Sequence, residues 1–254
     1  MASDLPAVDE IDFPMYVVSD EESRRLLVSA EEIEGFFVDP ENEPPGVAFL
    51  RVHEVEKGKQ RVEDAVMAVM NRRREKIGEY LVGRVTLDAS GIEGSGGTVS
   101  RVAYRFFGTR CEYPEAERIW QRWVSGAALE RGEWLRWPVS YQDAWLHVVQ
   151  NSWFVLNRRA ARYGVDEVVH LDGAQISTKS GFYCALGEAV NGPGGYFGAS
   201  LDALAECISS SFGEGPPARI IWRNFHASQE RLDRAYLDSI AGVMREFNVD
   251  LSIC

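Results

Sequence analysis

From Glu167 to the end of the chain, short strand-like runs alternate with segments of helical spacing. Glu167 to Leu171, Arg219 to Trp222 and Asp250 to Ile253 read as strands, while Ser180 to Val190, Leu201 to Ser211 and Leu232 to Phe247 read as helices. Strands separated by helices cannot be hairpin neighbours, so this pattern predicts a small parallel three-stranded sheet packed by helices, an α/β domain. Upstream, the polar Asn157-Arg158-Arg159-Ala160-Ala161-Arg162-Tyr163-Gly164 ends in a glycine and suits a helix C-terminus and a domain border. Two domains are predicted, 1–164 and 165–254.

Within the second, a glycine-bounded loop, Gly195-Tyr196-Phe197-Gly198-Ala199, runs straight into the amphipathic Ser200-Leu201-Asp202-Ala203-Leu204-Ala205-Glu206-Cys207-Ile208. Leu201, Leu204 and Ile208 would face a core, with Ser200 as N-cap and Asp202 in the first turn. Asp202 and Glu206 then stand four residues apart on the exposed side, a like-charge pair that costs an isolated helix about 0.2–0.5 kcal/mol. A solvated acidic face, relieved by the helix dipole, is one reading. A binding face for a basic partner is the other.

The loop and helix resemble the barstar family of intracellular ribonuclease inhibitors. The family's aromatic, aromatic, Gly, two residues, Leu-Asp-Ala-Leu, one residue, acidic, Cys pattern is matched from Tyr196 to Cys207. Ile221-Trp222-Arg223-Asn224-Phe225 is similar to its strand with a Trp-Arg-x-Phe ending, and Met244-Arg245-Glu246 to the acidic end of its last helix. The resemblance spans roughly 166–254 and implies a partner-binding face in which Tyr196 is an aromatic anchor and Asp202, Glu206 and Glu246 are charged contacts, with Gly198 and Ser200 in the same stretch. Several residues depart from the pattern: Glu206 stands for aspartate, Ala205 for a tryptophan, Ser200 for asparagine. The glycine-rich Asn191-Gly192-Pro193-Gly194-Gly195 has lost an acidic residue, and two residues are inserted between Glu206 and Trp222.

The first domain reads differently. Arg25 to Val28, Gly35 to Val38, Val47 to Val52, Glu63 to Met70, Lys76 to Leu87 and Val99 to Phe107 are strand-like and joined by short connections, predicting an α+β domain with a mainly antiparallel sheet. Arg72, Arg73 and Arg74 suit a charged hairpin tip better than a phosphate site. Gly91 to Thr98 lacks the Gly-Lys-Ser/Thr ending of a phosphate loop and suits a flexible hairpin connection. At Pro114 the period becomes helical, with Ile119, Trp120, Trp123 and Val124 at helical spacing over 115–125, and a second helix is expected over 143–161. Six of the seven tryptophans lie between Trp120 and Trp153, which favours a core over a ligand pocket. His147 has no second histidine or nearby carboxylate at ligand spacing and suits a satisfied structural role.

Composition narrows the partner. The 39 acidic and 27 basic residues leave a net charge of −12, which disfavours nonspecific binding to nucleic acid or anionic membrane and favours a basic protein. Residues 166–254 alone hold 12 acidic and 6 basic residues. Four scattered cysteines, an acidic lead-in over 1–13 expected to be mobile, and no apolar run near the ~18 residues that span a bilayer suggest a cytoplasmic protein with reduced thiols. There is no histidine pair at metal spacing, no Gly-x-Ser-x-Gly elbow and no nucleotide loop, so no catalytic residue, metal ligand or cofactor is assigned. The resemblance implies an inhibitor or immunity protein that blocks a small basic ribonuclease of the barnase type, or a ribonuclease toxin. The alternatives are a barstar-like module with a non-ribonuclease partner, and an enzyme with a carboxylate site in the first domain.

Overall fold

Alternating burial sets the first half of the chain as a sheet: Tyr16 and Val18 point inward on one strand, Val102, Tyr104 and Phe106 on another. A computed structural model describes residues 11–42, 44, 46–56, 61–95, 98–210 and 216–254. The expected mobile lead-in lies outside them as far as Glu10, as do Glu43 and Pro45, Gly96 and Gly97 of the expected hairpin connection, and Ser211 at the expected end of a helix.

Six antiparallel strands, β1 (Tyr16–Asp20), β2 (Leu26–Glu34), β3 (Val47–Val55), β4 (Arg61–Met70), β5 (Lys76–Ser95) and β6 (Thr98–Phe106), pair in the order β1-β2-β3-β6-β5-β4 and close into a barrel where β4 meets β1. Closure depends on long, bulged strands. The first half of β5 pairs with β4 and the second with β6, with register shifts on both sides. Gly83, at φ +63°, sits at one of these bulges, where a left-handed backbone favours glycine.

Two expected segments behave differently. Gly35 to Val38 is not a full strand: Gly35 turns at φ +78° against the Gly46 carbonyl, leaving Phe37 in a single bridge to Cys111. Gly91 to Ser95 is not a loop but the end of β5, paired with β6 through Ser95 and Thr98. Arg72, Arg73 and Arg74 do form the β4–β5 hairpin tip, with the Asn71 side-chain oxygen accepting from the amides of Arg73 and Glu75, each at 2.9 Å.

Helix α1 (Ala116–Val124) packs on the barrel through Trp120, whose ring lies on Gly78 and whose indole N–H donates to the Tyr80 hydroxyl at 2.8 Å. On the same helix burial, reinforced by Glu32 and Glu34 and opposed by Arg118, pushes the Glu117 carboxyl from 4.5 up to about 7.

A second compact unit runs from Ala128 to Cys254. It begins with a turn-rich stretch and helix α2 (Gln142–Val155), which ends before the expected Ala161 because Asn157 turns left-handed at φ +56°. Then come β7 (Val168–Asp172), α3 (Lys179–Asn191), α4 (Leu201–Ser209), β8 (Arg219–Arg223), the short α5 (Phe225–Gln229), α6 (Arg234–Glu246) and β9 (Asp250–Ile253). The three strands are parallel in the order β7-β8-β9, as the alternation of periods predicts. Trp222 on the central strand is buried, stacks on Phe182 at 5.2 Å and donates its indole N–H to the Ser228 hydroxyl at 3.3 Å.

The border by packing is therefore Ala127/Ala128 rather than Gly164. Residues 128–164 join the second unit because Thr178 and Ser180, opening α3, donate to Gln142 and Asp143, opening α2. The tryptophans divide accordingly, Trp120 and Trp123 with the barrel and Trp134, Trp137, Trp145 and Trp153 with the second unit, and the latter four are buried as core. His147 is held neutral by burial, its pKa lowered from 6.5 to about 4.

Because the Glu117 carboxyl is raised only in the folded state, the folded form binds the extra proton between the two pKa values and stability falls as pH rises from about 4.5 to about 7. Glu117→Gln removes this titration. Urea denaturation should find the variant more stable than the native chain by about 1–3 kcal/mol at pH 8, with the difference shrinking as the pH falls to 4.5.

Candidate functional site

Helix α3 ends at Asn191, and Gly192 reverses the chain at φ +82°. The following loop folds back onto α3 at a contact only glycine allows. A Cβ on Gly195 would stand 2.7 Å from the Gly187 carbonyl oxygen, and one on Gly187 would collide with the Gly195 carbonyl. Gly198, at φ +100°, then brings the chain against the backbone of Leu204. Ser200 starts α4 as its N-cap, its hydroxyl accepting from the Ala203 amide at 3.1 Å.

Leu204, Cys207 and Ile208 bury one face of α4, and burial pushes the Cys207 thiol up to about 12. The opposite face carries Asp202 and Glu206, both exposed, and neither carboxylate has a hydrogen bond or ion pair among the described residues. Asp202 lies in the first turn, where the helix dipole favours a negative charge. The pair is rigidly presented. Glu246 is exposed at the end of α6, a helix that packs against α4, and Asp233 caps that helix by accepting from the Tyr236 amide at 3.2 Å.

Tyr196 is placed otherwise than expected. It is 2% exposed, its ring inside the unit and not on the surface. Its ring meets Phe154 of α2 edge-on at 5.3 Å between centroids, and burial, with Cys207 and Glu206 nearby, raises its hydroxyl pKa. Gly198 and Ser200 shape the loop and the helix start, while Trp222 is core, as expected.

Two residues that hold this site together were not singled out in the sequence. Asn191 accepts from the amides of Tyr163 at 2.7 Å and Gly164 at 3.3 Å, and donates to the carbonyls of Ala161 at 3.1 Å and Tyr196 at 2.7 Å. It ties the loop to the segment before β7. Glu188, buried on α3, accepts from the Gly132 amide at 2.6 Å and the Trp134 indole at 2.9 Å, and burial raises its pKa against the pull of those bonds. A charge between Leu186 and Val190 in an apolar helix was the signal for Glu188. For Asn191, nothing in the sequence marked it apart from its glycine-rich surroundings.

The family model of barstar, the barnase inhibitor, matches residues 167–252. Residues 167–252 form a barstar-family domain. This is the stretch that holds the parallel sheet, the Tyr196 loop and α4. Barstar domains are in general ribonuclease-binding inhibitor modules with no catalytic role. The match does not extend over residues 1–166, and no curated protein matches the chain. No group of three or more metal-ligating side chains is found among the described residues, and no helix among them is long and apolar enough to cross a membrane.

Asn191→Ala would strip four backbone groups of their partner. It should lower the stability of this unit by about 2–3 kcal/mol, read as a shift in the urea midpoint, with Asn191→Asp also destabilising because a carboxylate cannot donate to the two carbonyls.

Proposed function

We propose that this chain is an inhibitor or immunity protein that blocks a small basic ribonuclease, or a ribonuclease toxin, with the acidic face of α4. The observation that carries this reading is the presentation of Asp202 and Glu206: two exposed carboxylates, one turn apart, on a helix fixed by its buried face and without intramolecular partners among the described residues. A ribonuclease active site must hold RNA phosphates, which calls for Arg, Lys and His side chains. Carboxylates on a rigid helix can take the place of those phosphates and offer no bond to cleave. Glu246 on the neighbouring helix adds a third charge, and the net charge of −12 steers a cationic partner towards the molecule. The four free cysteines fit action in a reducing cytoplasm.

The burial of Tyr196 and the presence of Ala205 favour a second reading, in which the barstar domain keeps its acidic face for a basic protein that is not a ribonuclease. Binding to nucleic acid itself runs against the charge.

Calorimetric titration of the full chain with a panel of small basic ribonucleases, with RNA cleavage read in parallel, tests the proposal. Binding should silence cleavage and weaken as salt rises. The Asp202→Ala/Glu206→Ala double variant should bind about 100-fold more weakly or worse, a magnitude carried over from close charge pairs in the family's own barnase–barstar complex. Tight binding indifferent to both substitutions would rule out the acidic face. Binding to no member of the panel would leave the second reading in its place.

A further inference from the structure

The acidic face of α4 lacks an aromatic residue. Ala205 lies between the two carboxylates' turns, and the loop's own aromatics are inside, with Tyr196 2% and Phe197 0% exposed. Charged contacts speed encounter and set specificity, but long-lived protein complexes rest on a few well-packed side chains, aromatic ones above all. Directly beyond the buried Tyr196 ring stands Phe154, edge-on at 5.3 Å and 43% exposed.

Phe154 is held as an anchor needs to be. It lies in the last turn of α2, whose inner face is fixed by buried Val149, Ser152 and Trp153, and the Trp153 indole N–H donates to the Arg159 carbonyl at 2.8 Å. Asn191 clamps the segment that follows α2 onto the Tyr196 carbonyl, so helix end and loop are joined on both sides. The ring also sits on the loop that leads into the acidic helix, since Phe154 touches Tyr196 and Gly198, two residues further on, lies against Leu204 of α4. A large exposed apolar ring with so little freedom loses little entropy on binding.

We propose that Phe154, supplied by the helix preceding the barstar-family domain, is the aromatic anchor of the interface with the basic ribonuclease, standing on the surface where Tyr196 is buried. This rests on the reading of α4 as the nuclease-binding face. The partner is the same one, because the exposed carboxylates of α4, the helix that this loop leads into, demand a cationic surface on whatever protein receives the ring.

The test is a kinetic comparison of the full chain with Phe154→Ala, Phe154→Tyr and Asp202→Ala/Glu206→Ala against the basic ribonuclease panel, at low and high salt, with thermal melting of every variant. Phe154→Ala should dissociate about 10- to 50-fold faster while associating at nearly the native rate and with the native salt dependence, and Phe154→Tyr should recover most of the loss. The double variant should instead lose rate and salt dependence of association. Should Phe154→Ala melt early, Phe154→Gln gives the same answer from a neutral polar surface side chain, dissociating faster if the ring is a contact. Native dissociation in both Phe154→Ala and Phe154→Gln, with binding still weakened in the double variant, overturns the anchor and leaves the acidic face standing. Failure of the native chain to bind any member overturns both.

Discussion

The acidic helix owes its position to a backbone contact between two glycines. Gly187 on α3 and Gly195 in the loop approach so closely that neither position has room for a Cβ. That contact lays the loop flat on α3, and Gly198 and the Ser200 cap then start α4 in a fixed direction. From there the amphipathic pattern does the rest, since Leu204, Cys207 and Ile208 must go inward and Asp202 and Glu206 are left in solvent. A charged face that would be a small liability on a free helix is held here in one orientation by the packing beneath it.

The barstar-family domain is not packed by its own residues alone. Helix α2 and the turns around it belong to the same compact unit, and the joints are polar: Glu188 to Gly132 and Trp134, Thr178 to Gln142, and Asn191 to the 161–164 backbone. Buried polar groups tolerate few geometries, because an unmatched donor or acceptor costs more than a matched one gains. They fix where α2 ends, and with it the position of Phe154 against the loop. The same packing explains why Tyr196 is inside, since a helix from upstream in the chain lies over its ring.

The barrel solves a different problem. Six antiparallel strands leave two edges with open hydrogen-bonding groups, and pairing β4 with β1 removes both. Bulges in β4 and β5 give the curvature, and Trp120, seated on Gly78, fixes α1 against the wall. That helix carries Glu117 into a partly buried site facing two other carboxylates, which makes the unit sensitive to pH near neutrality.

Much of this was written in local patterns. Alternating periods after Glu167 determined the parallel sheet, the glycines and the serine cap determined loop and helix start, and the spacing of apolar residues around Asp202 and Glu206 determined which face they occupy, because each depends on neighbours within a turn or a strand. The antiparallel strands of the first half and the tryptophan core were legible for the same reason. Closure of the barrel, the border at Ala127/Ala128, the burial of Tyr196 and the roles of Asn191 and Glu188 were decided only by the tertiary structure. Each of these depends on which distant segments meet, and a residue's own periodicity carries no record of the side chain, here Phe154 or Trp134, that comes to cover it.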